Sequence, residues 1–189
     1  MSSLVYYLLS GDIGGTNSRF QLFRLTRSDS ALLLPLRSGQ RALGELVLSK
    51  QFSNSGYKTF LDVISAFLDL ANVGEPPISA CFAVAGPVNE NSVLLTNRNW
   101  MIDGASLQTK LGISRVLLVN DFVALGYGLL TLEENKECVA LHKAYKVPGG
   151  PIACIGAGTG LGECFLTSTA APPTSAGSAA AVQASYEYQ

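Results

Sequence analysis

Gly11-Asp12-Ile13-Gly14-Gly15-Thr16-Asn17 is the stretch that decides how this chain folds. Residues 5–11 are apolar and strand-like, and residues 18–25 read as a second strand. Two strands joined through a glycine-rich turn make a hairpin. Three glycines in the connection also let backbone N–H groups approach a phosphate without Cβ clashes. Asp12 adds a carboxylate able to hold Mg²⁺ through water, and Thr16 and Asn17 add neutral donors. A plain tight turn accounts for the glycines, but Asp-x-Gly-Gly-Thr-Asn is richer than any turn requires.

Gly156-Ala157-Gly158-Thr159-Gly160-Leu161-Gly162 is a second such turn, between a strand expected at 152–155 and one that follows it to about residue 167. It is not a Walker A loop, because no Gly-Lys-Ser/Thr follows. It also lacks the spacing of the dinucleotide fingerprint. Between the two turns lies Asn120-Asp121, after the buried strand expected at 116–119 and before a helix of Phe122, Val123, Leu125, Leu129 and Leu130. Both side chains would project from the strand's carboxyl end, where open α/β sheets bind ligands. An Asp there can accept the proton of a hydroxyl, and the Asn can grip neighbouring hydroxyls. Asn and Asp also favour helix N-caps, which would account for one of the two.

The remaining elements follow from pattern. A third antiparallel strand is expected at 42–52, after an exposed loop at 32–40. Residues 57–71 form the clearest helix, with Tyr57, Phe60, Leu61, Ile64, Phe67, Leu68 and Ala71 on one apolar face. Ser53, Asn54 and Ser55 offer caps, and Gly74 with Pro76-Pro77 ends it. Strands are expected at 78–85, 93–96 and 139–141. Asp103 caps a helix over 105–111 that Gly112 terminates. Residues 167–185 collapse to Ala, Ser, Thr and Pro and read as a flexible insertion. Residues 186–189 restore strand character.

Composition excludes several classes. Charged residues are 14% of the 189, and the formal net charge is −1. That leaves no broad field for nucleic acid or an anionic membrane. No run of about 18 apolar residues is present, and no Lys or Arg precedes Arg19, so neither a membrane span nor a signal peptide is expected. The four cysteines, Cys81, Cys138, Cys154 and Cys164, are scattered and read as buried free thiols of a cytoplasmic protein. His142 has no catalytic constellation beside it.

Two strand–glycine turn–strand hairpins in one chain resemble the paired phosphate loops of the actin-like and sugar-kinase ATPase fold. Gly-Asp-Ile-Gly-Gly-Thr-Asn, Leu95-Thr96-Asn97-x-x-Trp100, Val119-Asn120-Asp121-Phe122 and the turn at 156–162 occur in the order and spacing of the bacterial-type glucokinase family. The resemblance spans residues 5–167. It implies an α/β, ribonuclease H-like fold with a mixed sheet flanked by helices. A small N-terminal domain would fill 1–130, and residues 131–189 would begin the large domain, left incomplete, with an insertion at 167–185.

The same resemblance implies ATP and Mg²⁺ as cofactors and glucose as substrate, phosphorylated at its 6-hydroxyl at the entry to glycolysis. By it, Gly11, Asp12, Ile13, Gly14, Gly15 and Thr16 bind the ATP phosphates, with Asp12 meeting Mg²⁺ through water. Gly158, Thr159 and Gly160 form the second phosphate turn. Asn97, Asn120 and Asp121 bind the sugar, Asp121 being the catalytic base. A full-length form would be compatible with a homodimer. The family is longer than 189 residues and carries a later Pro-x-Glu-Gly-Gly-His-like sugar motif and an adenine-binding region. Neither is in this sequence, so the chain is expected to stop short of a complete site. Alternatives are a non-catalytic sugar-sensing module on this fold, a kinase for another hexose, and an actin-like ATPase. The Asn-Asp pair argues against the last.

Overall fold

The computed structural model describes residues 5–26, 44–133, 135–145, 147, 150–157, 161–168 and 186–188. Ten strands and three α-helices lie among them. The chain divides into two compact units between Asp121 and Phe122.

In the first unit, β1 (Val5–Ile13) and β2 (Asn17–Thr26) form the expected antiparallel hairpin, with Ile13 opposite Ser18. The glycine turn is tighter than the sequence suggested. Asp12 and Ile13 belong to β1 and Asn17 to β2, leaving Gly14, Gly15 and Thr16 as the connection. β3 (Glu45–Ser53) runs antiparallel to β2. β4 (Ser79–Val84) is parallel to β1, and β7 (Arg115–Asn120) is parallel to β4. The five-stranded mixed sheet therefore has the order β3-β2-β1-β4-β7. Parallel neighbours need crossover connections, here supplied by α1 (Phe60–Ala71) and α2 (Gly104–Leu111).

One sheet face carries the core. Leu9, Ile13, Phe20, Leu22, Ala80, Phe82, Val84, Val116 and Leu118 alternate along their strands and are buried. α1 lays Phe60, Val63, Ile64 and Phe67 onto them. Phe20 is the centre of an aromatic cluster, with ring centroids of Phe67 at 5.2 Å and of Phe52, Phe60 and Phe82 at 6.1 to 6.2 Å. Each such ring contributes about 1.5–3 kcal/mol by burial. Gly11 belongs to this face: a Cβ there would lie 2.8 Å from the Phe82 ring and 3.0 Å from that of Phe20. Its lack of a side chain serves packing.

Several expectations are corrected. The helix expected from 57 starts at Phe60, because Thr59 and Asp62 close a capping box there. Ser53, Asn54 and Ser55 do not cap it. Asn54–Gly56 forms a separate 3₁₀ turn. The helix ends on left-handed Asn72 rather than at Gly74. Asp103 and Gly112 cap α2 as read.

A strand not foreseen, β6 (Trp100–Asp103), pairs with β5 (Ser92–Leu95). Its apolar residues Trp100, Met101 and Ile102 run without alternation, so no period-2 signal marks it. No strand forms at 139–141, where Val139 and Leu141 are 85% and 97% exposed; a short apolar run left facing solvent stays irregular. Cys81 and Cys138 are exposed rather than buried. Cys81 alternates with Ala80 and Phe82 and so faces away from the core.

β7 ends the sheet, and the Asn91 side chain covers part of its edge. Its amide donates to the Val116 carbonyl at 2.9 Å and its oxygen accepts from Leu118 N–H at 2.8 Å.

The second unit holds β8 (Ile152–Ala157), β9 (Leu161–Ser168) and β10 (Tyr186–Tyr188), all antiparallel in the order β10-β9-β8. β9 runs to Ser168, into the stretch read as insertion; residues 169–185 lie outside the described residues, as does the loop expected at 32–40. α3 (Asp121–Leu129) packs Gly126 against β9, where a Cβ would meet the Cys164 sulfur at 2.6 Å. Cys154 and Cys164 are opposite each other and buried. Burial pushes the Cys164 thiol up, and Cys154 beside it adds to the shift. Among the described residues no helix is long and apolar enough to cross a membrane.

Candidate functional site

The parallel strands set the geometry of the site. Ile13 is the register partner of Val84, and Val84 that of Asn120. β1, β4 and β7 therefore end together. The turn of Gly14, Gly15 and Thr16 leaves one strand and Asp121 leaves another at the same sheet edge. Two strand spacings, roughly 10 Å, separate them.

The turn is held from beneath. Gly14 N–H donates to the Asn17 carbonyl at 2.9 Å. Asn54 donates from its backbone to the Thr16 carbonyl and from its side chain to the Gly14 carbonyl, both at 2.8 Å. Ile13 is wholly buried, so only its backbone is available at this edge. Asp12 lies on the opposite sheet face, exposed, with its carboxylate 3.1 Å from the Arg19 guanidinium. Arg19 also donates to Gln51 at 2.9 Å. An exposed pair of this kind is worth at most about 1 kcal/mol and yields readily to a stronger partner.

Asn97 lies on the turn between β5 and β6, exposed beside Gly15. Gly15, Thr16, Ser53, Ser55, Asn97 and Arg98 line a cavity of about 440 Å³. Its lining of hydroxyls, amide and guanidinium suits a polar ligand. Asn120 ends β7, with its side-chain amide donating to the Gly86 carbonyl at 3.1 Å. Asp121 is half-buried as the first residue of α3. The structure thus brings Gly15, Thr16 and Asn97 together at one cavity and sets Asn120 and Asp121 along the edge from it. Gly158, Thr159 and Gly160 lie outside the described residues; the hairpin carrying them closes with Ala157 opposite Leu161.

Sequence reasoning missed Asn54 and Arg98. Arg98 donates to the carbonyls of Asn54 and Tyr57 and stacks over Trp100 at 5.2 Å. Trp100 in turn donates to the Lys58 carbonyl at 2.7 Å. Asn54 carried only a cap signal, and no local pattern marks a contact forty residues away.

The glucokinase family model matches residues 9–181. The chain belongs to the glucokinase family. It is 35% identical over 159 residues to a glucokinase of Nostoc sp., covering 84% of this chain and 42% of that protein. It is 36% identical over 170 residues to that of Synechocystis sp., covering 88% and 45%. The Yersinia pestis glucokinase is 32% identical over 162 residues, covering 85% and 44%. The chain thus spans less than half the length of these family members.

Solved glucokinases share the fold. That of an Antarctic psychrotroph superposes with a TM-score of 0.72 at 23% identity, over 97% of this chain and 49% of the other. That of Balamuthia mandrillaris, in complex with glucose, gives 0.57 at 17%, over 98% and 48%. The mixed sheet with flanking helices is accordingly the actin-like, ribonuclease H-like fold of the sugar kinases.

Proposed function

We propose that the protein transfers the terminal phosphoryl group of ATP to the 6-hydroxyl of glucose, with this chain supplying both phosphate turns, part of the sugar cleft and the catalytic base. The observation that carries the proposal is the common end of β1, β4 and β7, which puts the glycine turn and Asp121 on one sheet edge. Membership of the glucokinase family supports it, as does the glucose complex of the Balamuthia enzyme.

In this reading the small domain is built on the first unit, and the second unit begins the large domain. Gly11, Ile13, Gly14, Gly15 and Thr16 make up the first phosphate stretch, and the backbone of Gly14 to Thr16 meets the nucleotide. Gly158, Thr159 and Gly160 form the second turn. Asn97 and Asn120 hold sugar hydroxyls. Asp121 orients the attacking hydroxyl and accepts its proton, so its carboxylate need only be ionised and in reach. Phosphoryl transfer asks mainly for positioning and charge neutralisation, and preset backbone donors supply much of both.

Among the described residues no three His, Cys, Asp or Glu cluster into a cation cage. Mg²⁺ usually comes with substrate phosphates and one or two carboxylates and keeps several waters. In this reading Asp12 meets it through water, after release from Arg19. Bound with the nucleotide, the ion would neutralise phosphate charge.

The test is calorimetric titration of a full-length form with glucose and with ATP and Mg²⁺, alongside an assay of glucose-dependent ADP release. Saturable glucose binding that Asp121→Ala removes is expected. A folded chain that binds neither ligand overturns the proposal.

A further inference from the structure

Asn54 is polar and wholly buried, at 0% exposure, at the edge of the aromatic core. A buried amide is tolerated only when its groups are partnered. Those partners belong to the glycine turn and its flank. The side-chain amide donates to the Gly14 carbonyl at 2.8 Å, and the side-chain oxygen accepts from the Ser18 hydroxyl at 2.8 Å. The backbone N–H donates to the Thr16 carbonyl at 2.8 Å. The Asn54 carbonyl accepts from Tyr57 N–H at 3.1 Å and from the Arg98 guanidinium.

These bonds have a directional consequence. No peptide bond among the described residues is cis, and in a trans peptide the C=O and the following N–H point in opposite directions. Drawing the Gly14 carbonyl inward to Asn54 therefore turns the Gly15 N–H outward. Gly15 lines the 440 Å³ cavity. The β2–β3 ladder already reaches Asn17 and Ser53 without this side chain, so strand pairing does not need it.

We propose that Asn54 is the positioning residue of the glycine turn: it takes the Gly14 carbonyl inward so that the Gly15 N–H faces a phosphate oxygen, and Arg98 holds Asn54 in place. The proposal rests on the reading of this turn as a phosphate turn. Asn54 touches no reacting atom, and it acts by presetting a donor that would otherwise have to reorient on binding.

The test compares the 189-residue chain with Asn54→Ala, Asn54→Asp and Ser18→Ala, and with Ile64→Val in α1 as a control for lost stability. Amide exchange is read by NMR at Gly14 against Leu9, Phe82 and Leu118, and affinity for ATP with Mg²⁺ by calorimetry. Asn54→Ala should speed exchange at Gly14 and weaken ATP by about tenfold each, while the strand amides keep their rates. Asn54→Asp should behave like the alanine variant, because it sets an acceptor against the Gly14 carbonyl. Ile64→Val should lower Tm and leave the Gly14 exchange and ATP affinity unchanged.

Unchanged exchange at Gly14 in Asn54→Ala overturns the proposal, and so does a rise shared equally by the strand amides. If Asn54→Ala does not fold, Ser18→Ala, which removes one partner of the same amide, is measured in its place: faster exchange confined to Gly14 supports the proposal, and unchanged exchange there overturns it. A full-length form that binds no ATP refutes the kinase reading, and the exchange comparison, which uses no nucleotide, still decides the role of Asn54.

Discussion

Asn97 lies against the bare backbone of Gly15: a Cβ on Gly15 would sit 3.0 Å from the Asn97 side-chain nitrogen and 3.3 Å from its Cβ. A residue of the proposed phosphate turn and a residue proposed to hold the sugar are thus neighbours within one unit. Gly15→Ala should push the Asn97 side chain aside. Because Asn97 is exposed and can yield, Tm should fall by only a few degrees, at a cost of about 1 kcal/mol. Glucose affinity should drop on the order of tenfold, as for one lost hydrogen bond. Calorimetric titration with glucose checks it, and unchanged affinity would remove Asn97 from the sugar site.

Asp121→Asn keeps the shape and polarity at the start of α3 but cannot accept a proton. In a full-length form, glucose-dependent ADP formation should fall by about 10²- to 10⁴-fold, with ATP affinity within about twofold of the parent. Near-normal turnover would move the base elsewhere.

Two carboxylates tie stability to pH. The Ser92 hydroxyl at 2.6 Å, then the Ser106 N–H at 2.6 Å, hold the Asp103 carboxyl below its ordinary range. Hydrogen bonds from Thr59 do the same for Asp62. A depressed folded-state value means a contribution fully present above the ordinary carboxylate range and lost as pH falls through the lowered value. The urea midpoint should be flat from about pH 7 to 5 and decline below about pH 4. Asp103→Asn, which still caps α2, should show a shallower decline. An identical acid limb in the variant would refute the assignment.

In the second unit a Cβ on Gly162 would lie 1.8 Å from the Phe122 ring. Gly162→Ala should displace that ring and cost about 1–3 kcal/mol or more. Amide exchange should rise at Cys154 and Leu166 and stay unchanged at Leu9 and Phe82. Protection kept throughout would mean that Phe122 has a free alternative rotamer.

Local pattern carried much of the fold. The apolar face of α1, the Asp103 and Gly112 caps and the glycine-separated strand pairs were legible because each depends on residues a few positions apart. The start of α1 was misplaced because Ser53, Asn54 and Ser55 offered cap chemistry, yet the Thr59–Asp62 box won it by satisfying two orphan N–H groups at once. β6 escaped notice because a four-residue strand exists only through its partner.

By itself, the sequence determined most of the elements, though not β6 or the absence of a strand at 139–141, along with the two glycine turns and the types of side chain at the candidate site. Turn chemistry and helix caps are local, and local physics is written in neighbouring residues. Only the tertiary structure decided that Gly11 faces the core, that Asp12 pairs with Arg19 across the hairpin, and that Gly15 meets Asn97. It alone gave Asn54 its place: a residue thirty-six positions from Ser18 and forty from Gly14 reaches them through strand pairing. Such a contact depends on how the sheet closes, and no short window of sequence contains both ends of it.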